Sequence, residues 1–106
     1  MKESDIEKYL VERVKALGGE CRKVKWIGRK SAPDRLVMLP FTSAPKSSTL
    51  DHDRTIWIEL KRTGKLATFP ADAHERAQAR EHKRMCTMGQ RVVVIDSFAG
   101  VDEVLR

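Results

Sequence analysis

Apolar residues recur with two different periods along this chain, and the switches between them mark its elements. Ile6, Leu10, Val14 and Leu17 repeat every three or four positions, which predicts an amphipathic helix. Ser4 is placed as its N-cap, because Ser4-Asp5-Ile6-Glu7 has capping-box spacing, and Gly18-Gly19 supplies the stop. The period then becomes two. Glu20 to Ile27 reads as a strand, with Val24 and Trp26 on one face and Cys21, Lys23 and Lys25 on the other. A basic turn, Gly28-Arg29-Lys30-Ser31, leads through Pro33-Asp34 into Arg35 to Leu39. That run has few polar positions, the pattern of a strand buried on both faces. Thr55 to Lys61 alternates most cleanly: Ile56, Ile58 and Leu60 face one way, and Thr55, Trp57, Glu59 and Lys61 the other.

Pro40 to Arg54 has no periodicity and reads as a long surface loop. Ala71 to Met88, rich in Ala, Glu, Arg and Gln, predicts a second helix ended by Gly89, with Arg76, Arg80, Lys83 and Arg84 outward. Gln90 to Ile95 is a fourth strand, and Asp96 or Ser97 opens a short last helix. The order α-β-β-β-α-β-α is that of a mixed α/β domain. Trp26 and Trp57, both on strands, are assigned to the core.

Composition narrows the function. A chain of 106 residues argues for one domain spanning 1–106. Lys and Arg number 21 against 15 Asp and Glu, a formal charge of +6 that favours a polyanionic partner such as nucleic acid. No apolar run is long enough to span a membrane, and the charged N-terminus has no signal-peptide pattern. Cys21 and Cys86 stand far apart, so no disulfide framework is expected and a cytoplasmic location is the default. With His52, His74 and His82 they show no zinc spacing, and none is assigned a metal role.

The chemistry concentrates at the second and third strands. Glu59 and Lys61 are two apart and project from one face. With Asp34 from the neighbouring strand they make a divalent-cation site, since Mg²⁺ keeps several waters and needs few protein oxygens. Such a cation offsets phosphate charge and lowers the pKa of water, and a lysine beside it orients that water. Lys23, Lys25, Arg29, Lys30 and Arg35, with Arg22, flank Asp34 in sequence and are candidates for tracking phosphates.

The pattern Pro33-Asp34 … Glu59-Leu60-Lys61 resembles the core of the PD-(D/E)xK nuclease superfamily. Ile6-Glu7, Gly18-Gly19, Pro33-Asp34-Arg35, Trp57 to Lys61, Gln78 and Gly89 before Val92 to Ile95 together resemble one branch, the virus-type replication-repair nuclease (VRR-NUC) domain. The chain departs from that pattern at Ser31-Ala32, where the family often has glycine.

The resemblance implies a restriction-endonuclease-like α-β-β-β-α-β core with a short C-terminal helix and a mixed sheet flanked by helices. It implies that Asp34, Glu59 and the Leu60 backbone carbonyl hold Mg²⁺ or Mn²⁺. Lys61 would position the attacking water, Glu7 would reach the metal through water, and Gln78 would line the cleft. A capping-box role explains Glu7 equally well. The implied activity is DNA endonuclease action without a covalent intermediate, on branched DNA such as four-way junctions, by a homodimer in a bacterial or phage-infected cell. The alternatives are a non-catalytic nucleic-acid-binding module that retains the nuclease fold, and a subunit of a repair assembly.

Overall fold

The computed structural model describes residues 1–40 and 54–106. Helix α1 (Glu3–Ala16) is followed by strands β1 (Glu20–Lys23), β2 (Arg35–Met38) and β3 (Thr55–Leu60). A short 3₁₀ turn at Leu66–Thr68 leads to α2 (Ala73–Thr87), β4 (Arg91–Ile95) and α3 (Phe98–Val104). The sheet order is β1-β2-β3-β4, antiparallel at the first two junctions and parallel between β3 and β4. Both the element order and the mixed sheet agree with the α/β reading. The predicted loop, except for its ends, lies outside the described residues.

The β3 alternation decides how the layers stack. Ile56, Ile58 and Leu60 are buried against Ile6, Leu10 and Val14 of α1 and against Val101, Val104 and Leu105 in and just after α3, with Val37 and Ile95 on the same sheet face. Tyr9 links α1 to α3: its hydroxyl donates to Asp102 at 2.8 Å and its ring stacks on Phe98. Helix α2 covers the opposite face and packs beside β4. Gly18, at φ +80, ends α1 in the left-handed region. A Cβ on Gly19 would stand 2.5 Å from the Met38 carbonyl, so the helix can enter the sheet there only with glycine.

Several boundaries differ from the sequence reading, each for a local reason. Helix α1 starts one residue before Ser4, with Lys2 at the N-cap and no side-chain cap. The amides of Asp5 and Ile6 bond to the Lys2 carbonyl, so no capping box forms. Strand β1 stops at Lys23 rather than Ile27. The Val24 amide still reaches the Asp34 carbonyl, but the next position faces Pro33, which has no N–H to continue the ladder. In β2 only Val37 is buried, because α2 lies over the other edge of the sheet. Trp26 and Trp57 are half-buried, not core residues. Their rings meet at 5.7 Å, and their indole N–H groups donate to Glu81 and Gln90. The last helix is capped by Ser97, whose hydroxyl accepts the Gly100 amide. Arg76, Arg80, Lys83 and Arg84 are exposed on α2, as their spacing predicts.

Candidate active site

Register brings the acidic residues together. Arg35 pairs with Ile58 across an antiparallel junction, so Asp34 and Glu59, one step along each strand, stand opposite one another. Asp34 Oδ2 accepts the Leu60 amide at 2.7 Å, which substitutes a side-chain contact for the next ladder bond. In extended backbone a residue's N–H and C=O point to the same side, so the Leu60 carbonyl also faces Asp34. Fully buried Pro33 anchors the approach. Two residues earlier Ser31 sits at φ 73, a region that glycine occupies at little cost.

Glu59 is only 2% exposed. Gln78 Nε2 donates to its Oε2 at 3.3 Å, and His82 Nε2 lies 3.3 Å from its Oε1. Burial, and then a hydrogen bond and like charge from Asp34, push the Glu59 carboxyl up to about 9. Burial also holds the His82 imidazole below its usual value, with the Lys61 ammonium adding to the effect. A neutral imidazole beside a protonated carboxyl carries no net charge into this layer.

Lys61 occupies the same buried face. Its Nζ donates to Gln78 Oε1 at 2.8 Å, lies 3.1 Å from Glu75 Oε2, and stands 5.3 Å from the centre of the Phe69 ring. Glu75 Oε1 accepts the Ala71 amide. That bond, followed by Lys61, holds the Glu75 carboxyl below its usual range. Glu75, Gln78 and His82 are spaced three and four apart on α2, so one helix face meets both Glu59 and Lys61.

The α1 and basic candidates are distributed differently. Glu7 pairs with Arg35 at 2.9 Å, and Arg35 also donates to the Cys21 carbonyl. Arg35 is thereby committed to the α1 face of the sheet rather than offered to solvent, with its side chain 13% exposed. The α1 carboxyl that feels Asp34 and Lys61 is that of Glu3, one turn before Glu7, and burial and Asp34 raise its pKa. Lys23, Lys25, Arg29 and Lys30 are exposed. Arg29 bonds Glu81 at 2.7 Å, and Arg22 pairs with Glu20. Lys2, Arg62 and Lys65 line an open groove beyond the end of β3, a basic surface that the sequence reading did not single out.

No family model matches the chain. It is 35% identical over 97 residues, 92% of its length and 85% of the relative's, to the protein named "Putative nuclease p44" of Acyrthosiphon pisum secondary endosymbiont phage 1. A solved structure described as "VRR_NUC domain" superposes with a TM-score of 0.71 at 31% identity, over 99% of this chain and 96% of that one. The chain belongs to the VRR-NUC family. The family's enzymes are nucleases, hydrolases of phosphodiester bonds in nucleic acid.

Within this VRR-NUC fold the structure gathers Asp34, Glu59, Lys61 and Gln78, and places Glu7 and Arg35 in a separate ion pair. Glu75 and His82 join the cluster without having been singled out, and Glu3 on α1 feels the Asp34 charge, which helps raise its pKa. The signal for Glu75 and His82 was the helical spacing of polar residues around Gln78 on a helix whose buried stripe carries one large apolar residue, Met85. Among the described residues no three carboxylate, imidazole or thiolate groups converge on one point. The oxygens available are two carboxylates and one carbonyl, a set that suits a cation retaining water ligands. Two carboxyls in contact, one of them forced to keep its proton, are groups that a divalent cation would relieve.

Proposed function

We propose that this protein is a Mg²⁺- or Mn²⁺-dependent DNA endonuclease whose centre is Asp34, Glu59 and Lys61. The observation that carries this reading is the β2–β3 register, which sets Asp34 and Glu59 opposite one another at the end of a buried sheet face, with Lys61 and Glu59 joined through Gln78. A purely structural site gains nothing from opposing two carboxyls in a desolvated place. Asp34, Glu59 and the Leu60 carbonyl would hold the cation, which would offset phosphate charge and lower the pKa of water. Lys61 orients that water and steadies the scissile phosphate, and Gln78 and Glu75 fix the ammonium in place. Gln78 and His82 each engage one oxygen of the Glu59 carboxyl and fix its orientation. Glu3 supplies the acidic group from α1.

Exposed Lys23, Lys25 and Lys30 contribute phosphate contacts. The preferred substrate is branched DNA such as a four-way junction. One centre cuts one strand, so paired cuts require a homodimer, and a two-fold dimer matches a two-fold junction.

The decisive experiment incubates labelled linear, flap and four-way DNA with the protein in Mg²⁺, Mn²⁺ or EDTA, beside Glu59→Ala and Lys61→Ala. Metal-dependent cutting, lowered at least about a thousandfold by each substitution, is expected. Cutting that survives both, or binding with no cutting under any metal, rejects the assignment.

A further inference from the structure

The reversal between β1 and β2 carries an apolar side chain that nothing in the hydrolytic cluster uses. Ile27 is 98% exposed, the most exposed large apolar residue among the described ones. A lone exposed isoleucine is ordinary on a protein surface. This one is held outward by its neighbours. Trp26 Nε1 donates to Glu81 Oε2 at 2.8 Å, and Arg29 Nη2 donates to Glu81 Oε1 at 2.7 Å. Both flanks of Ile27 are thus tied to one carboxylate on α2. Glu81 is itself 4% exposed, and Arg84 bonds it from the same helix. The Trp26 ring also packs on Trp57 of β3. Gly28, at φ +84, turns the chain immediately after Ile27 in a conformation that a branched side chain resists.

Placement and charge suggest what this projection meets. The reversal closes through the Val24 amide on the Asp34 carbonyl, so its neck is the proposed metal ligand. Its anchor, Glu81, adjoins His82, which touches Glu59. Exposed Lys25, Arg29 and Lys30 flank Ile27 in sequence, Arg29 being held by Glu81, and no acidic residue lies between Cys21 and Pro33. An apolar tip tethered on both sides and flanked by lysines, beside the proposed phosphodiesterase centre, has the composition of a side chain that enters DNA between bases while its neighbours hold the backbone.

Resting on the DNA-endonuclease reading above, we propose that Ile27 is a wedge that inserts at the interrupted base stack of a branch point, with Lys25 and Lys30 on the adjoining phosphates. Insertion into continuous duplex requires unstacking a base step, whereas a branch point already presents a broken stack. The wedge therefore gains its apolar contact at lower cost on branched than on linear DNA, and so confers structure selectivity without reading sequence.

The test places 2-aminopurine at the centre of a four-way junction and, separately, in the middle of a linear duplex. Binding is followed in Ca²⁺ for the wild type, Ile27→Ala, Ile27→Met and Lys30→Ala. The wild type is expected to raise fluorescence on the junction and not on the duplex. Ile27→Met keeps that rise, and Ile27→Ala loses it while reducing the junction-to-duplex affinity ratio by about tenfold, the scale of one buried aliphatic side chain. Lys30→Ala weakens both substrates alike and reduces the salt slope by about one. A rise that persists in Ile27→Ala, or no rise with the wild type, overturns the wedge. If the wild type cuts no DNA with Mg²⁺ or Mn²⁺, the hydrolytic reading fails, and the fluorescence arms still decide the wedge.

Discussion

The two faces of β3 are built from one alternating run and have opposite physical characters. On the α1 side Ile56, Ile58 and Leu60 reach aliphatic neighbours only, and burial there is favourable outright. On the α2 side Glu59 and, just past the strand's end, Lys61 are also buried, among Glu75, Gln78, His82 and Asp34. Desolvating those groups opposes folding, and the structure tolerates it because no buried polar side-chain atom among the described residues lacks a hydrogen-bond partner. The aliphatic layer thus stabilises a sheet whose reverse side holds a chemically strained cluster. Stability and reactivity are divided between the faces of one strand, six residues long.

The largest effect expected from breaking this division lies on the aliphatic side. Ile58→Ala removes a fully buried side chain and is expected to destabilise the fold by about 2–5 kcal/mol in urea unfolding, while leaving no altered group in the polar cluster. Destabilisation below about 1 kcal/mol would mean that the core is not where the stability resides.

The polar side is expected to respond with the opposite sign. The Glu59 carboxyl is pushed up to about 9, above its ordinary value of 4.5, so between these values the folded state binds a proton that the unfolded state releases. Stability of the metal-free protein therefore falls as pH rises through this range. His82, whose pKa is lowered, opposes this only below its ordinary value of 6.5. In EDTA the melting temperature is accordingly expected to decline from about pH 7 to 9, with Mg²⁺ or Mn²⁺ reversing the decline. Glu59→Gln should flatten it and stabilise the metal-free protein at the alkaline end while abolishing cutting. A melting temperature that rises over this interval, or a Gln variant less stable than wild type at its upper end, contradicts the assigned burial.

The smallest effect concerns the approach to Asp34. Ser31 holds a left-handed backbone that costs a residue bearing a Cβ roughly 1 kcal/mol, so Ser31→Gly should raise stability by up to that amount. A loss in chemical denaturation would show that the Ser31 side chain contributes more than its backbone costs.

Legibility in the sequence followed the kind of interaction. The α1 stripe, the β3 alternation, the fourth strand and the stop at Gly89 depend on local periodicity and were readable in order. Trp26 and Trp57 were not, since a strand-like position does not reveal that α2 leaves part of that face open. The capping box at Glu7 does not form, and the pairing of Glu7 with Arg35, 28 residues away, has no local signature. Glu3 was passed over because its relation to Asp34 and Lys61 is purely tertiary.

By itself the sequence determined the order of elements, the two faces of the third strand and the candidate acidic pair with its lysine, because these follow from backbone periods of 3.6 and two and from residue chemistry. Only the tertiary structure decided that Asp34 meets Glu59 across the β2–β3 register, that α2 presents its polar stripe to them, and that Arg35 belongs to Glu7. Those outcomes depend on strand register and helix rotation, which are set by the packing of distant segments and have no local signature.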